Sequence, residues 1–186
     1  MKTKKTLALS LALLLVLLLS ACKSPLAGAG GTEKTADPLR DFSFFFRFDV
    51  FGISSYNSAT GELIKTRDAT DPSRYRTTHV LTEAEREEIG SLLASLDLPS
   101  YPAEYDPFNA PDAEEKRMTA PDQTIVLSVV TPAFSKTVTC KNVCLGMTGG
   151  YDEASQRFLD VCARLKEILT STEEWKGLPD YEFLYD

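Results

Sequence analysis

Phenylalanine occupies every second position from Phe42 to Phe48, with Val50 next in the series, and Ser43, Phe45, Arg47, Asp49 and Phe51 alternate with them. A period of two rich in aromatics predicts a β-strand that turns its Phe42 set toward a core. Gly52 marks a bulge, and Asn57, Ser58, Ala59, Thr60 and Gly61 are turn material leading to a second strand over residues 62–66. Residues 74–80 read as a third, edge-like strand. The period then changes. Thr82 followed three residues on by Glu85 is a capping box, and Ile89, Leu92, Leu93 and Leu96 share one helical face until Asp97 and Pro99 stop the helix. Prolines at 102, 107, 111 and 121 make residues 101–122 a long loop. Residues 125–130 are apolar on both faces, as a central strand is, and Thr131, Pro132 and Ala133 turn them into a strand over residues 134–141. After Gly149 and Gly150 a second amphipathic helix starts, with Asp152 as N-cap and Phe158, Cys162, Leu165 and Leu169 on one stripe, and Gly177, Leu178 and Pro179 end it.

Each helix shows one apolar stripe and each outer strand one apolar side. The pattern therefore predicts an α+β fold: an antiparallel sheet of four to five strands with two amphipathic helices on one face, in the order ββ(β)αββα. The expected organisation is a leader over residues 1–21, a tether over residues 22–41 and one domain over residues 42–186, a length that suits a single core.

The leader has a basic start at Lys2, Lys4 and Lys5, an apolar run from Leu7 to Leu19, and then Ser20, Ala21 and Cys22. Thirteen residues at 1.5 Å each span about 20 Å, short of the roughly 30 Å of bilayer hydrocarbon, so a secretory signal fits better than a permanent span. Leu19, Ser20, Ala21 and Cys22 resemble the lipobox of bacterial lipoproteins. That resemblance implies a diacylated Cys22, cleavage before it, and a mature chain moored to a cell membrane or outer membrane on its extracytoplasmic side. Cleavage by the ordinary signal peptidase after Ala27, Gly28 and Ala29 is the alternative; it lies far past the apolar run. Two acyl chains anchor a protein where one binds reversibly. The stretch after Cys22 is small and polar, a flexible linker reaching about 25 Å. The domain also resembles, thinly, a loose class of uncharacterised secreted bacterial lipoproteins, through its aromatic first strand ending in Gly52, the Leu81 and Thr82 helix start, and the closing Trp175, Leu178, Pro179 and Tyr181. This likeness implies no activity.

Composition narrows the chemistry. With 20 basic against 27 acidic side chains the net charge is −7, and the three lysines of the leader leave the rest more acidic still. Such a chain lacks the basic footprint of a nucleic-acid binder. The single His79, at the end of a polar strand, reads as a surface or hydrogen-bonded residue, and one histidine excludes the two-histidine zinc motif. No Gly-x-Ser-x-Gly elbow and no Gly-Lys phosphate loop occur, and Ser135, Lys136 and Thr137 lack the glycine and partner motifs of a penicillin-binding strand. Glu83, Glu85, Glu87 and Glu88 crowd a helix start, where they complement its dipole. No catalytic residue, cofactor or metal site is expected.

With Cys22 lipidated, Cys140, Cys144 and Cys162 remain, and the expectation is one structural disulfide from Cys162 to Cys144 or to Cys140, with three reduced thiols as the alternative. The aromatics Tyr101, Tyr105 and Phe108 in the proline-rich segment, and Trp175, Tyr181, Phe183 and Tyr185 at the C-terminus, either pin loop and tail to the core or form a binding surface. Tyr101, Tyr105, Trp175 and Tyr181 are the candidates for that surface, with an envelope protein or glycan as partner. The leading expectation is a membrane-anchored binding or envelope-structural module without catalysis. An extracytoplasmic hydrolase using carboxylates is the alternative.

Overall fold

The computed structural model describes residues 41–107, 118, 120–143 and 152–182. The chain divides into two units, Met1–Ala36 and Asp37–Asp186, and every described residue belongs to the second. The leader, the lipobox with Cys22, most of the tether, Phe108, Cys144, Gly149, Gly150, Phe183 and Tyr185 lie outside the described residues.

Strand β1 (Ser43–Phe48) is set by its period of two: Phe44, Phe46 and Phe48 are buried, while Ser43, Phe45 and Arg47 keep partial access to solvent on the other face. It pairs antiparallel with β2 (Ser54–Asn57) on one side and β6 (Gln123–Val130) on the other. The β1–β2 connection is tight. Asp49, Phe51 and Gly52 all have positive φ (69°, 53° and 65°), and the Gly52 amide donates to the Asp49 carbonyl over 2.9 Å. Strand β3 (Glu62–Ile64) returns after a turn in which the Gly61 amide donates to Asn57 O over 2.8 Å, and β4 (Arg76–Thr78) closes that side of the sheet. A 3-10 turn at Pro72–Tyr75 precedes β4 and another at Leu98–Ser100 follows the first helix.

Beyond β6, β7 (Ser135–Val143) pairs antiparallel with it, and the short β5 (Glu104–Tyr105) runs parallel to β7 at the far edge. The described strands form one sheet in the order β4-β3-β2-β1-β6-β7-β5. Helix α1 (Glu83–Ala94) opens with the expected box: Thr82 Oγ1 accepts from the Glu85 amide, and the Glu85 carboxylate accepts from the Thr82 amide. Helix α2 (Glu153–Thr170) is capped by Asp152 and buries Phe158, Val161, Cys162, Leu165, Ile168 and Leu169. A third, one-turn helix α3 (Glu173–Lys176), capped by Thr172, sinks Trp175 into the core. These stripes and the Phe44–Phe46–Phe48 side of the sheet make one core. None of the described helices is long and apolar enough to cross a membrane.

The class is α+β, as the pattern predicts, but the finer architecture differs. Among the described residues the sheet is mixed and has seven strands, not four or five, and there are three helices, not two. Strand β2 was unreadable because Ser54 and Ser55 are polar, yet Ser54 is wholly buried and satisfied by tertiary hydrogen bonds to Asp49 and to the Lys65 carbonyl. Strand β5 lies inside the proline-rich segment expected to be all loop, and its two residues pair only because β7 offers a free edge.

Candidate functional site

Pro99 stops α1's continuation and starts the Leu98–Ser100 turn, which delivers Tyr101 and then β5 to the first turn of α2. Tyr101 is 8% exposed and donates its hydroxyl proton to Ala154 O over 3.0 Å. The Tyr105 and Ser155 hydroxyls hydrogen-bond each other. The two tyrosine rings meet edge to face at 5.5 Å and both rest on Phe158, at 5.2 and 6.0 Å. Burial is the main cause that pushes both phenols above their ordinary range.

Above these rings opens a cleft of about 470 Å³, lined by Tyr101, Tyr105, Asp97, Ser100, Glu153 and Arg157 among others. Arg157 pairs with Glu153 at 3.0 Å, and a second hollow of about 440 Å³ shares these two residues and adds Asp152 and Asp160. The Asp152 carboxyl is held below its ordinary range, chiefly because the Ser155 amide donates to it. Asp97 stands at the N-cap position of the Leu98–Ser100 turn, yet its side chain makes no capping bond. The cleft thus has an aromatic floor and a rim richer in carboxylate than in cation. Hydroxyl donors suit such a rim; anions do not.

Trp175 and Tyr181 do not join this cleft. They lie by the other end of α2, about 16 Å along the helix axis if Ser155 and Lys166 mark the two ends. Trp175 is 9% exposed, with its ring 5.8 Å from Phe48. Lys65 lays its ammonium over both rings, 5.7 Å from Trp175 and 5.3 Å from Tyr181. Asp49 ties the cluster together: Lys166 pairs with Oδ1, while Ser54 Oγ and the Tyr181 hydroxyl donate to Oδ2 over 2.7 and 3.1 Å. Burial, and then the Asp49 charge, push the Tyr181 phenol far up. Ser54 has no accessible surface, so this Ser–Asp–Lys set cannot meet a substrate; it latches the segment after α3 to the β1–β2 turn. The four candidate aromatics form two pairs at two places, not one surface.

His79 is buried, not on the surface. Its Nδ1 lies 3.2 Å from Glu174 and its Nε2 lies 3.3 Å from Glu85, though Nε2 is not aligned for a hydrogen bond. Its carbonyl accepts from Tyr56 Oη over 3.0 Å, and burial followed by the Glu85 charge pushes that phenol up to about 12. The histidine thus joins α1, α3 and β2. Among the described residues no group of three or more His, Cys, Asp or Glu is placed to hold a metal ion.

Cys140 and Cys162 are buried free thiols in this structure, so the disulfide expected between Cys162 and Cys140 is not formed, and the other expected partner, Cys144, lies outside the described residues. Burial pushes both thiols up, and in that apolar setting they act as small core side chains.

Sequence reasoning singled out Tyr101 and Tyr105 by residue type, and the structure places both beside the cleft. Sequence reasoning missed Asp97, Glu153 and Arg157, whose roles come from a helix–loop contact that no local spacing encodes. Fold and cleft together define an α+β domain with a tyrosine-floored, acidic-rimmed hollow at one end of its longest described helix. Compared with known protein families, with characterised proteins and with solved structures, the chain gives no match.

Proposed function

We propose that this chain is a lipid-anchored extracytoplasmic binding module, without catalysis, that takes a glycan in the Tyr101–Tyr105 cleft. One observation carries the reading: an open hollow whose floor is two tyrosine rings and whose rim holds Asp97, Ser100, Glu153 and Arg157. Sugar C–H faces stack on aromatic rings, and sugar hydroxyls donate to carboxylates. Both tyrosine hydroxyls are spent inside the protein, so the two side chains are held in place along the cleft, while the Asp97 carboxylate makes no capping bond and is left to accept. The lipobox at Cys22 supplies the mooring in this reading.

The test is titration of the full chain, held in detergent, with N-acetylglucosamine oligomers, followed by tyrosine fluorescence. Saturable binding is expected, and Asp97→Ala, an exposed change that should not disturb the fold, is expected to weaken it at least about tenfold. Unchanged affinity in that variant would sink the cleft assignment. Steady cleavage of the oligomers would transfer support to the hydrolase alternative. Intact mass of the extracted protein should show acyl chains on Cys22, and Cys22→Ser should free the chain from membranes.

A further inference from the structure

The hollow beside the Tyr101–Tyr105 cleft is almost its equal in size, about 440 against 470 Å³, and both fall within the roughly 300 to 1,000 Å³ usual for small-molecule sites. Two elements carry the chain from one to the other. On α2, Glu153 and Arg157 line both hollows, while Ala154 lines the first alone and Gln156 and Asp160 line the second alone. At the end of α1, Ser95 lines the first and Leu92, one turn earlier, lines the second. The stretch of α2 involved runs from the Asp152 cap to Val161, about 14 Å along the axis at 1.5 Å per residue. That is longer than a single sugar ring.

The second hollow repeats the make-up of the first. The cleft sets Tyr101 and Tyr105 beside Asp97 and Ser100; its neighbour sets Leu92 and Val161, both packed on the core, beside Gln156 and Asp160. Each thus places apolar carbon next to an exposed carboxylate, which suits the C–H face and the hydroxyl edge of one sugar. The Gln156 side-chain amide donates to one Asp160 oxygen over 2.8 Å and so directs that carboxylate. Arg157 stands where the two hollows meet and, among the described residues, is the one cation lining either. Its tie to Glu153 is an i,i+4 pair with side chains 56% and 90% exposed, so it is weak and leaves the guanidinium able to turn to a ligand. The ring and linkage oxygens of a sugar chain only accept hydrogen bonds, and a guanidinium only donates them. Arg157 therefore suits the linkage between two sugars as the carboxylates suit the hydroxyls on either side.

We propose that the two hollows are consecutive subsites of one groove with Arg157 at their junction, and that the ligand is an oligosaccharide of two or more units, not a single sugar. The assignment rests on the glycan reading of the cleft. It adds the length of the ligand and the residues that hold its second unit, Leu92, Gln156 and Asp160.

Calorimetric titration of the full chain in detergent with N-acetylglucosamine and its linear dimer, trimer and tetramer separates the two questions. Affinity should rise at least about tenfold from the single sugar to the dimer, well above the factor of about two gained by offering two equivalent units, and level off once both hollows are filled. A single sugar too weak to register beside a dimer that binds counts as that rise. Asp160→Ala, an exposed change, should weaken the dimer at least about tenfold while leaving the melting curve and any single-sugar affinity as they were. Asp97→Ala should weaken every length. No binding at any length would overturn the glycan reading and this assignment with it. Equal affinity from one unit to four, or a dimer indifferent to Asp160→Ala, would overturn the shared groove alone and leave the cleft as a site for one sugar.

Discussion

Gly61 shows how a single position can be demanded by the fold from two directions. Its φ is +73°, and an added Cβ would stand 2.9 Å from the His79 carbonyl, a backbone atom that cannot swing away. At Gly52 the φ is +65° but the obstacle is the Arg47 side chain, which can move. Gly61→Ala should therefore cost about 1 to 3 kcal/mol and exceed Gly52→Ala, as read by urea unfolding of the two variants. Equal losses would show that backbone conformation alone matters at both places. The residue types that read as chemistry in the sequence were those with an unusual side chain: His79, the cysteines, Trp175 and the tyrosines. Their partners were not readable. Asp49, Ser54 and Lys65 meet Tyr181, and Lys166 meets Asp49, across sequence separations that no motif spans, and Arg67 looks like any loop residue until Ser55 is placed beside it.

At the scale of the element, the start of α1 is the most local piece of the structure. Thr82 and Glu85 satisfy each other's amides, and the sequence spacing alone announced it. Burial works against ionisation of Glu85, but the Thr82 backbone and hydroxyl hydrogen bonds, with His79 beside them, outweigh it and hold the carboxyl below its usual range. A carboxyl held low in the folded state adds stability above its unfolded pKa and gives it up as pH falls through the lowered folded value. Thr82→Ala should thus cost about 1 kcal/mol at neutral pH and flatten the decline in melting temperature on acidification. A variant that keeps the parent's acid slope would place that slope elsewhere. Strands β2 and β5 mark the limit of local reading. One is a polar tetrapeptide and the other a pair of residues between prolines, and each is a strand only because a neighbour supplies hydrogen-bond partners.

For the whole molecule, β1 is the keystone, because it lies between β2 and β6 and its phenylalanines form the floor of the common core. Phe46 has no exposure and stacks on Phe48 at 5.0 Å. Phe46→Ala should cost about 3 to 5 kcal/mol, measurable by chemical denaturation, whereas Phe45→Ala on the open face should cost far less. Similar losses at the two positions would contradict the sidedness of the sheet. Sequence by itself determined that sidedness, the capped start of α1 and the buried stripe of α2, since each follows from side chains two, three or four residues apart acting through backbone geometry. Only the tertiary structure decided the strand order, the parallel edge strand, the separation of four candidate aromatics into a cleft floor and a tail latch, and the reach of Arg67 back to Ser55. Those arrangements rest on contacts between distant segments, whose free energy belongs to the packed assembly and leaves no period in the chain.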